Sequence, residues 1–331
     1  MLRSAGRRTN VGLLALLALA FLTGVVAFTV GTLPAATVFA VVHGALGLGL
    51  LVLVPWKSVV VLRARRGGRG RLVGSVLLLL VPLCVLSGLW HAVDGYRVIG
   101  GVTALQVHVG TALALLPFVL VHVLAHPQRP RRTDLSRRAL LRTAGFGAGA
   151  AAAYVVVDGG TALLGARGSD SRGTGSTEVG SGTPREMPVT QWVSDQVPLL
   201  EDHVVLVGGV ALRPADLDGA DDVTAELDCT GGWYAEQRWS GTRLDRLLGS
   251  PDPSQSIEVR SVTGYRRRFP ATDATRLWLA TRAAGQPLSA GHGAPVRLVA
   301  PGRRGFWWVK WVDEVRVVDS PWWLQSPFPL Q

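Results

Sequence analysis

Apolar and polar positions change pattern near residue 165. Before that point the chain carries long unbroken apolar runs at about 11–31, 36–56, 72–92 and 102–125, with a weaker Ala- and Gly-rich run at about 139–164. A bilayer span needs roughly 20 such residues, so residues 1–165 are predicted to form an all-α transmembrane bundle of about five helices. Residues 166–187 (ARGSDSRGTGSTEVGSGTPREM) have no apolar period and are rich in Gly, Ser and Thr, which predicts a flexible linker. From 188 to 331 the runs are short and rich in Val or alternate apolar with polar: 203–209, 223–229, 256–262, 295–301, 305–310 and 314–319. Those read as strands. One helix is expected at 242–249, ended by Gly249, and another at 271–276. The expected fold class is therefore a multi-domain membrane protein, a helical bundle followed by a mainly β, α+β domain.

Charge sharpens this division. Residues 1–165 hold 16 Lys+Arg against 3 Asp+Glu; the remainder holds 18 against 20. The net charge of +11 is thus concentrated in the apolar half, in short clusters between the runs. That distribution belongs to a membrane protein and gives no nucleic-acid footprint. Arg3, Arg7 and Arg8 precede the first run. Lys57, Arg63, Arg65, Arg66, Arg69 and Arg71 fill the second loop, and Arg129, Arg131, Arg132, Arg137 and Arg138 fill the fourth. The positive-inside rule predicts a multi-pass protein of the cell membrane with a cytoplasmic N-terminus. Five spans put the C-terminal domain on the outer face.

Histidine is costly inside a bilayer and usually has a task there. Five of the seven histidines lie in or beside the runs: His43, His91, His108, His122 and His126. His43 and His108 fall at one depth, roughly 10 Å below the outer surface at 1.5 Å per residue. Two histidines at one depth on different helices can clamp a haem iron. The alternative is hydrogen bonding between helices. His91 is a spare ligand or an interfacial residue. His122, fourteen residues beyond His108, would suit a second haem, but Lys57 stands where its partner should be, and His126 lies on the same side as His122. The helix count and histidine depth resemble a small four-helix b-type cytochrome. That resemblance implies a b-type haem held by His43 and His108, and exchange of electrons with the membrane quinone pool or another carrier.

At the junction, Ser136 to Arg142 reads SRRALLR ahead of an Ala/Gly-rich run. A twin arginine in that setting is the pattern of a twin-arginine export signal; an ordinary positive-inside cluster is the plainer reading of Arg137 and Arg138.

The chain has two cysteines. Cys84 falls in the apolar half, so the C-terminal domain has no second thiol for a disulfide, and a multi-cysteine zinc site is excluded. Cys229 ends an alternating run just before Gly231 and Gly232. A thiol there can be a soft metal ligand, a nucleophile or an inert buried side chain. The surrounding residues carry a resemblance. LDCTGGW and RWSGTRLDRLL (227–233, 238–248), SVTGYRRRFP (261–270), LWLATRAAGQPLSAGHGAPVRLVAPG (277–302) and GFWWVKWVDEVRVVD (305–319) are similar, in order and spacing, to the molybdopterin-binding domain of the sulfite oxidase family. The resemblance implies that Cys229 ligates molybdenum, that His292 and Arg297 lie near the pterin, and that Lys310 helps to hold the pterin phosphate. Gly291, Gly293 and Gly305 would let backbone approach the ligand. Residues 188–224, with His203 and Arg213, leave little room for the longer segment that family members place over the pterin. Arg238, Arg266, Arg267 and Arg268 would hold an oxyanion or be solvated.

The combined expectation is a membrane-anchored molybdenum-cofactor oxidoreductase. It would transfer an oxygen atom and two electrons to or from a small oxyanion or oxide substrate, by S- or N-oxide reduction or sulfite-like oxidation. The alternative is a binding module that keeps the fold without the cofactor.

Overall fold

Each long apolar run is helical, a local structure that satisfies its own backbone hydrogen bonds whatever surrounds it. The computed structural model describes residues 7–64, 71–127, 136–190 and 196–327. Five long helices appear: α1 (Arg7–Thr29), α2 (Leu33–Ala64), α3 (Arg71–Asp94), α4 (Ala104–Ala125) and α5 (Arg137–Leu163). All five are long and apolar enough to cross a membrane. They are apolar all round, exposing Leu19, Leu79, Leu120, Leu124 and Val156. A short hairpin, β1 (Val98–Ile99) and β2 (Val102–Thr103), joins α3 to α4. Thr103 caps α4: its Oγ1 accepts from Gln106 N, and Gln106 Oε1 accepts from Thr103 N in return. These reciprocal bonds satisfy backbone donors that a helix start leaves orphaned. In the basic clusters, Arg3, Arg65, Arg66, Arg69, Arg129, Arg131 and Arg132 lie outside the described residues.

The linker expectation is overturned. The chain divides into two units, Met1–Phe28 with Pro34–Thr177, and Thr29–Leu33 with Glu178–Gln331. Residues 166–187 are structured parts of both. A 3-10 turn covers Arg167–Asp170. Gly168 packs so closely on α3 that a Cβ would fall 2.0 Å from Ala92 O. Thr177 Oγ1 accepts from Tyr96 N at 3.1 Å. After the two-residue strand β3 (Thr177–Glu178), Val179 N donates to Tyr234 O and Gly182 N to Glu236 O, and Met187 is buried. The small residues that suggested flexibility instead let the backbone approach its neighbours closely.

The second unit is mainly β, as expected. Its remaining strands are β4 (Val205–Val207), β5 (Val210–Leu212), β6 (Asp221–Cys229), β7 (Trp233–Arg243), β8 (Ser256–Ser261), β9 (Arg266–Pro270), β10 (Trp278–Ala283), β11 (Gln286–Pro287), β12 (Arg297–Val299) and β13 (Val312–Val318). One sheet runs β11-β10-β7-β3, with β12 on β10 and β6 on β7; the other runs β5-β4-β13-β8-β9. The helix expected at 242–249 is α6 (Leu244–Leu248), and 271–276 is a 3-10 turn. Residues 305–310 are not a strand. Gly305–Trp307 form a 3-10 turn, whose aromatic side chains are buried. Strand β7 was hidden by its polar letters. It nevertheless alternates, burying Trp233, Ala235, Gln237 and Trp239. The core gathers Trp239, Trp308, Phe269, Leu244, Leu279, Leu298, Ile257 and Val315.

Candidate functional sites

Cys229 closes β6 and pairs with Trp233 across the hairpin. The turn between them is tight: Gly232 N donates to Cys229 O at 3.1 Å, with Gly232 at φ 91°. Gly231 N–H points at Cys229 Sγ, 3.4 Å away. The side chain is neither fully buried nor exposed.

Three basic side chains converge on the same region from β12 and the turns around it. Arg297 is 1% exposed and lies beside the rings of Trp239 and Trp308, with its guanidinium carbon 5.0 and 5.6 Å from their centroids. Its NH1 donates to His292 O, but its buried Nε finds no hydrogen-bond partner among the described residues. Burial lowers its pKa to about 10, and the nearby Cys229 sulfur partly offsets that. His292 ends a 3-10 turn capped by Gly293. Its Nδ1 lies 2.7 Å from Ser289 Oγ. Burial first, then the charges of Arg297 and Lys310, lower its pKa to about 4; the carbonyls of Met187 and Pro188 oppose this weakly. The ring is therefore neutral near pH 7, yet its buried Nε2 has no hydrogen-bond partner among the described residues. Lys310 Nζ donates to Thr190 O at 2.9 Å and Gly291 O at 2.7 Å. The three basic residues meet around Gly293, where a Cβ would fall 3.0 Å from Arg297 Cβ and 3.1 Å from Lys310 Cβ. With φ at 101°, this position excludes other residues on both counts.

Two glycine expectations change. A Cβ on Gly291 would meet Val189 at 2.8 Å, and one on Gly305 would meet Asp228 O and Cys229 Cα at 3.1 Å. Both glycines admit protein atoms. Residues 187–190 pack beside this region: Val189 lies against Gly291, and Thr190 Oγ1 accepts from Trp233 Nε1. His203 bonds Val312 O, and the backbone N–H of Arg213 donates to Asp216. Arg238 pairs with Asp222. Arg267 and Arg268 bind the C-terminal segment through the carbonyls of Ser326 and Leu324.

Sequence reading missed Asp228 and Arg304. They form a fully buried ion pair at 2.6 Å immediately behind Cys229. Alternation along β6 was the available signal, since a carboxylate beside a strand-end thiol must face the opposite side.

The helical unit brings His43 and His108 together. Their Nε2 atoms are 3.4 Å apart and their rings meet edge to face, 5.6 Å between centroids. His43 Nδ1 bonds Ala20 O at 2.8 Å, and His108 Nδ1 bonds Cys84 O at 2.7 Å. Carbonyls only accept, so each Nδ1 carries a proton and the two Nε2 atoms are left facing each other. Anchoring one imidazole nitrogen to a carbonyl is how proteins orient metal-ligating histidines. Gly24 and Gly88 make room for the rings: a Cβ would fall 2.9 Å from His43 Cε1 and 2.8 Å from His108 Nδ1. His91 is engaged elsewhere, with Nε2 on Gly175 O at 2.9 Å. His122 and His126 stack on each other, 4.9 Å between centroids. The side chain of Lys57 lies outside the described residues.

Residues 211–324 match the family model of the oxidoreductase molybdopterin binding domain. The chain is 28% identical over 149 residues to the protein-methionine-sulfoxide reductase catalytic subunit MsrP of Xanthomonas axonopodis pv. citri (strain 306), covering 37% of this chain and 46% of that protein. It is 27% identical over 144 residues to MsrP of Xanthomonas campestris pv. campestris, covering 35% and 45%. The chain thus spans less than half the length of these relatives. Among solved structures, the sulfane dehydrogenase SoxCD from Paracoccus pantotrophus aligns with 24% identity and a TM-score of 0.35, covering 38% of this chain and 40% of that one.

Proposed function

We propose that this chain is a membrane-embedded molybdenum-cofactor oxidoreductase that reduces a sulfoxide, with electrons supplied through a haem in its helical unit. The sulfur–oxygen bond breaks, two electrons and two protons are consumed, and a thioether and one water are released. The observation that carries this reading is the basic cluster beside Cys229, in which Arg297 and His292 are buried. Arg297 Nε has no hydrogen-bond partner among the described residues, and burying such a group without a partner is costly. Two cations beside a thiol suit a ligand that is anionic at one end and a soft metal at the other. Cys229 would ligate the molybdenum, Arg297 and Lys310 would hold the phosphate, and His292 would bond the pterin through Nε2. When bound, the cofactor supplies the oxygen-atom and two-electron chemistry. The protein orients the thiolate with the Gly231 N–H and excludes water with Val189 and Thr190. The similarity to MsrP supports the reductive direction.

His43 and His108 supply the electron route. Their Nε2 atoms face each other 3.4 Å apart, and each ring is held through Nδ1 by a carbonyl, the arrangement that orients metal-ligating histidines. The two histidines would hold a b-type haem there, within reach of single electrons from a membrane donor such as the quinone pool. The positive-inside bias supports a cytoplasmic N-terminus and an outward C-terminal domain at the cell membrane. Arg137 and Arg138 at the start of α5 support twin-arginine export of that domain; replacing both with Lys would strand it in the cytoplasm.

The test is a full-length preparation in nanodiscs, reduced and then mixed with methionine sulfoxide or with sulfite. The proposal expects reoxidation of the haem by the sulfoxide. Reduction of the oxidised haem by sulfite, with no response to the sulfoxide, would reverse the direction. Absence of both molybdenum and haem would favour the cofactor-free binding module.

A further inference from the structure

The buried Asp228–Arg304 pair has no place in the scheme above. Side chains alternate along a strand, so Cys229 faces the basic cluster while Asp228 faces the interior. Asp228 is 0% exposed and Arg304 4%. Arg304 NH1 donates to Asp228 Oδ1 at 2.6 Å, yet Arg304 Nε is buried with no hydrogen-bond partner among the described residues. A buried ion pair with an orphaned donor stabilises a fold less than well-packed apolar side chains of the same volume would. What such a pair does supply is direction.

The geometry shows what is being directed. Residues 228 and 304 also form a parallel backbone bridge. The next residue, Gly305, presses its backbone against Asp228 O and Cys229 Cα, so that even a Cβ would fall 3.1 Å from either. Cys229 is thus clamped from behind by the Arg304–Gly305 turn and approached from the front by the Gly231 N–H at 3.4 Å. The ion pair is the side-chain bolt of that clamp. We infer that Asp228 and Arg304 are positioning residues for Cys229, fixing the direction from which its thiolate meets the metal. This rests on the reading of Cys229 as the molybdenum ligand.

The test uses the full chain, produced with its cofactor, in four forms: wild type, Asp228→Asn, Arg304→Lys, and the double variant Asp228→Val/Arg304→Met. The double variant removes both charges together and keeps their approximate volume, so it should melt near the wild type and retain molybdenum. The inference expects its sulfur-to-molybdenum charge-transfer band and its Mo(V) paramagnetic signal to shift. It also expects kcat for sulfoxide reduction to fall roughly 10- to 100-fold, the scale of a small misplacement, while KM changes by less than about twofold. Arg304→Lys, which retains one charged donor, should recover part of both signals. A double variant with wild-type spectrum and kcat would overturn the inference. So would failure of both Asp228→Asn and the double variant to fold, which would make the pair a stability element. The underlying reading fails separately: a Cys229→Ser protein that keeps its molybdenum and the wild-type charge-transfer band would show that Cys229 is no ligand.

Discussion

The helical unit and the β unit prepare their sites by opposite electrostatics. Between the helices, two imidazoles are tied through Nδ1 to the carbonyls of Ala20 and Cys84 and face each other through Nε2. In the β unit, Arg297 and Lys310 press positive charge on a neutral His292 beside a lone thiol position. The first arrangement attracts a cation between nitrogen donors. The second attracts an anion and a soft metal together. The two sites are therefore chemically separable, and each should survive loss of the other.

The sharpest way to break this comparison is reciprocal mutation. Cys229→Ser should lower sulfoxide reduction by at least about 1000-fold, because a covalently placed group acts as one unit with its metal, while the haem spectrum is untouched. His43→Ala or His108→Ala should abolish the b-type absorbance and turnover with quinol, while a soluble viologen dye still drives the molybdenum domain. If either variant loses both cofactors, the sites are not separable. Gly88→Val comes next. A Cβ at Gly88 would already fall 2.8 Å from His108 Nδ1, and valine adds two methyls beyond it. The variant should lose most of its haem with molybdenum retained; a pyridine haemochrome assay measures it. Gly293→Ala should cost about 1–3 kcal/mol of folding stability from its positive φ alone, seen as a lower melting temperature and reduced molybdenum occupancy.

The smallest expected effect is on pH. The pKa of His292 is lowered from its ordinary value of 6.5 to about 4 in the folded chain. Between those values the unfolded chain binds the proton and the folded chain does not. Stability therefore rises with pH across the window, by at most about 1.4 kcal/mol per pH unit. It is fully present above about 6.5 and is lost as pH falls toward 4. Cofactor-free protein should show this slope in chemical denaturation, and His292→Gln should flatten it.

The two regions also differ in how far they could be read from sequence. Long apolar runs translate directly into α1 to α5, and histidine depth alone paired His43 with His108. The carbonyl anchors and the recesses at Gly24 and Gly88 were not legible, because they depend on which helices meet. In the β unit, ordered motifs located Cys229, His292, Arg297 and Lys310, and the structure gathers the three basic residues around Gly293 with the thiol nearby. Strand β7 was missed because Glu236, Gln237 and Arg238 masked an alternating pattern. Residues 166–187 were misread because small residues serve freedom and close packing equally well. Asp228 and Arg304 are 76 residues apart, and nothing local marks them as partners.

Molybdenum analysis of purified wild-type and Cys229→Ser protein, made in a host that produces the cofactor, tests the central claim most directly. The account predicts stoichiometric molybdenum in the wild type, with the sulfur-to-metal absorption present there and gone in the variant. A wild type free of molybdenum, or a variant with unchanged absorption and unchanged sulfoxide reduction, would contradict it.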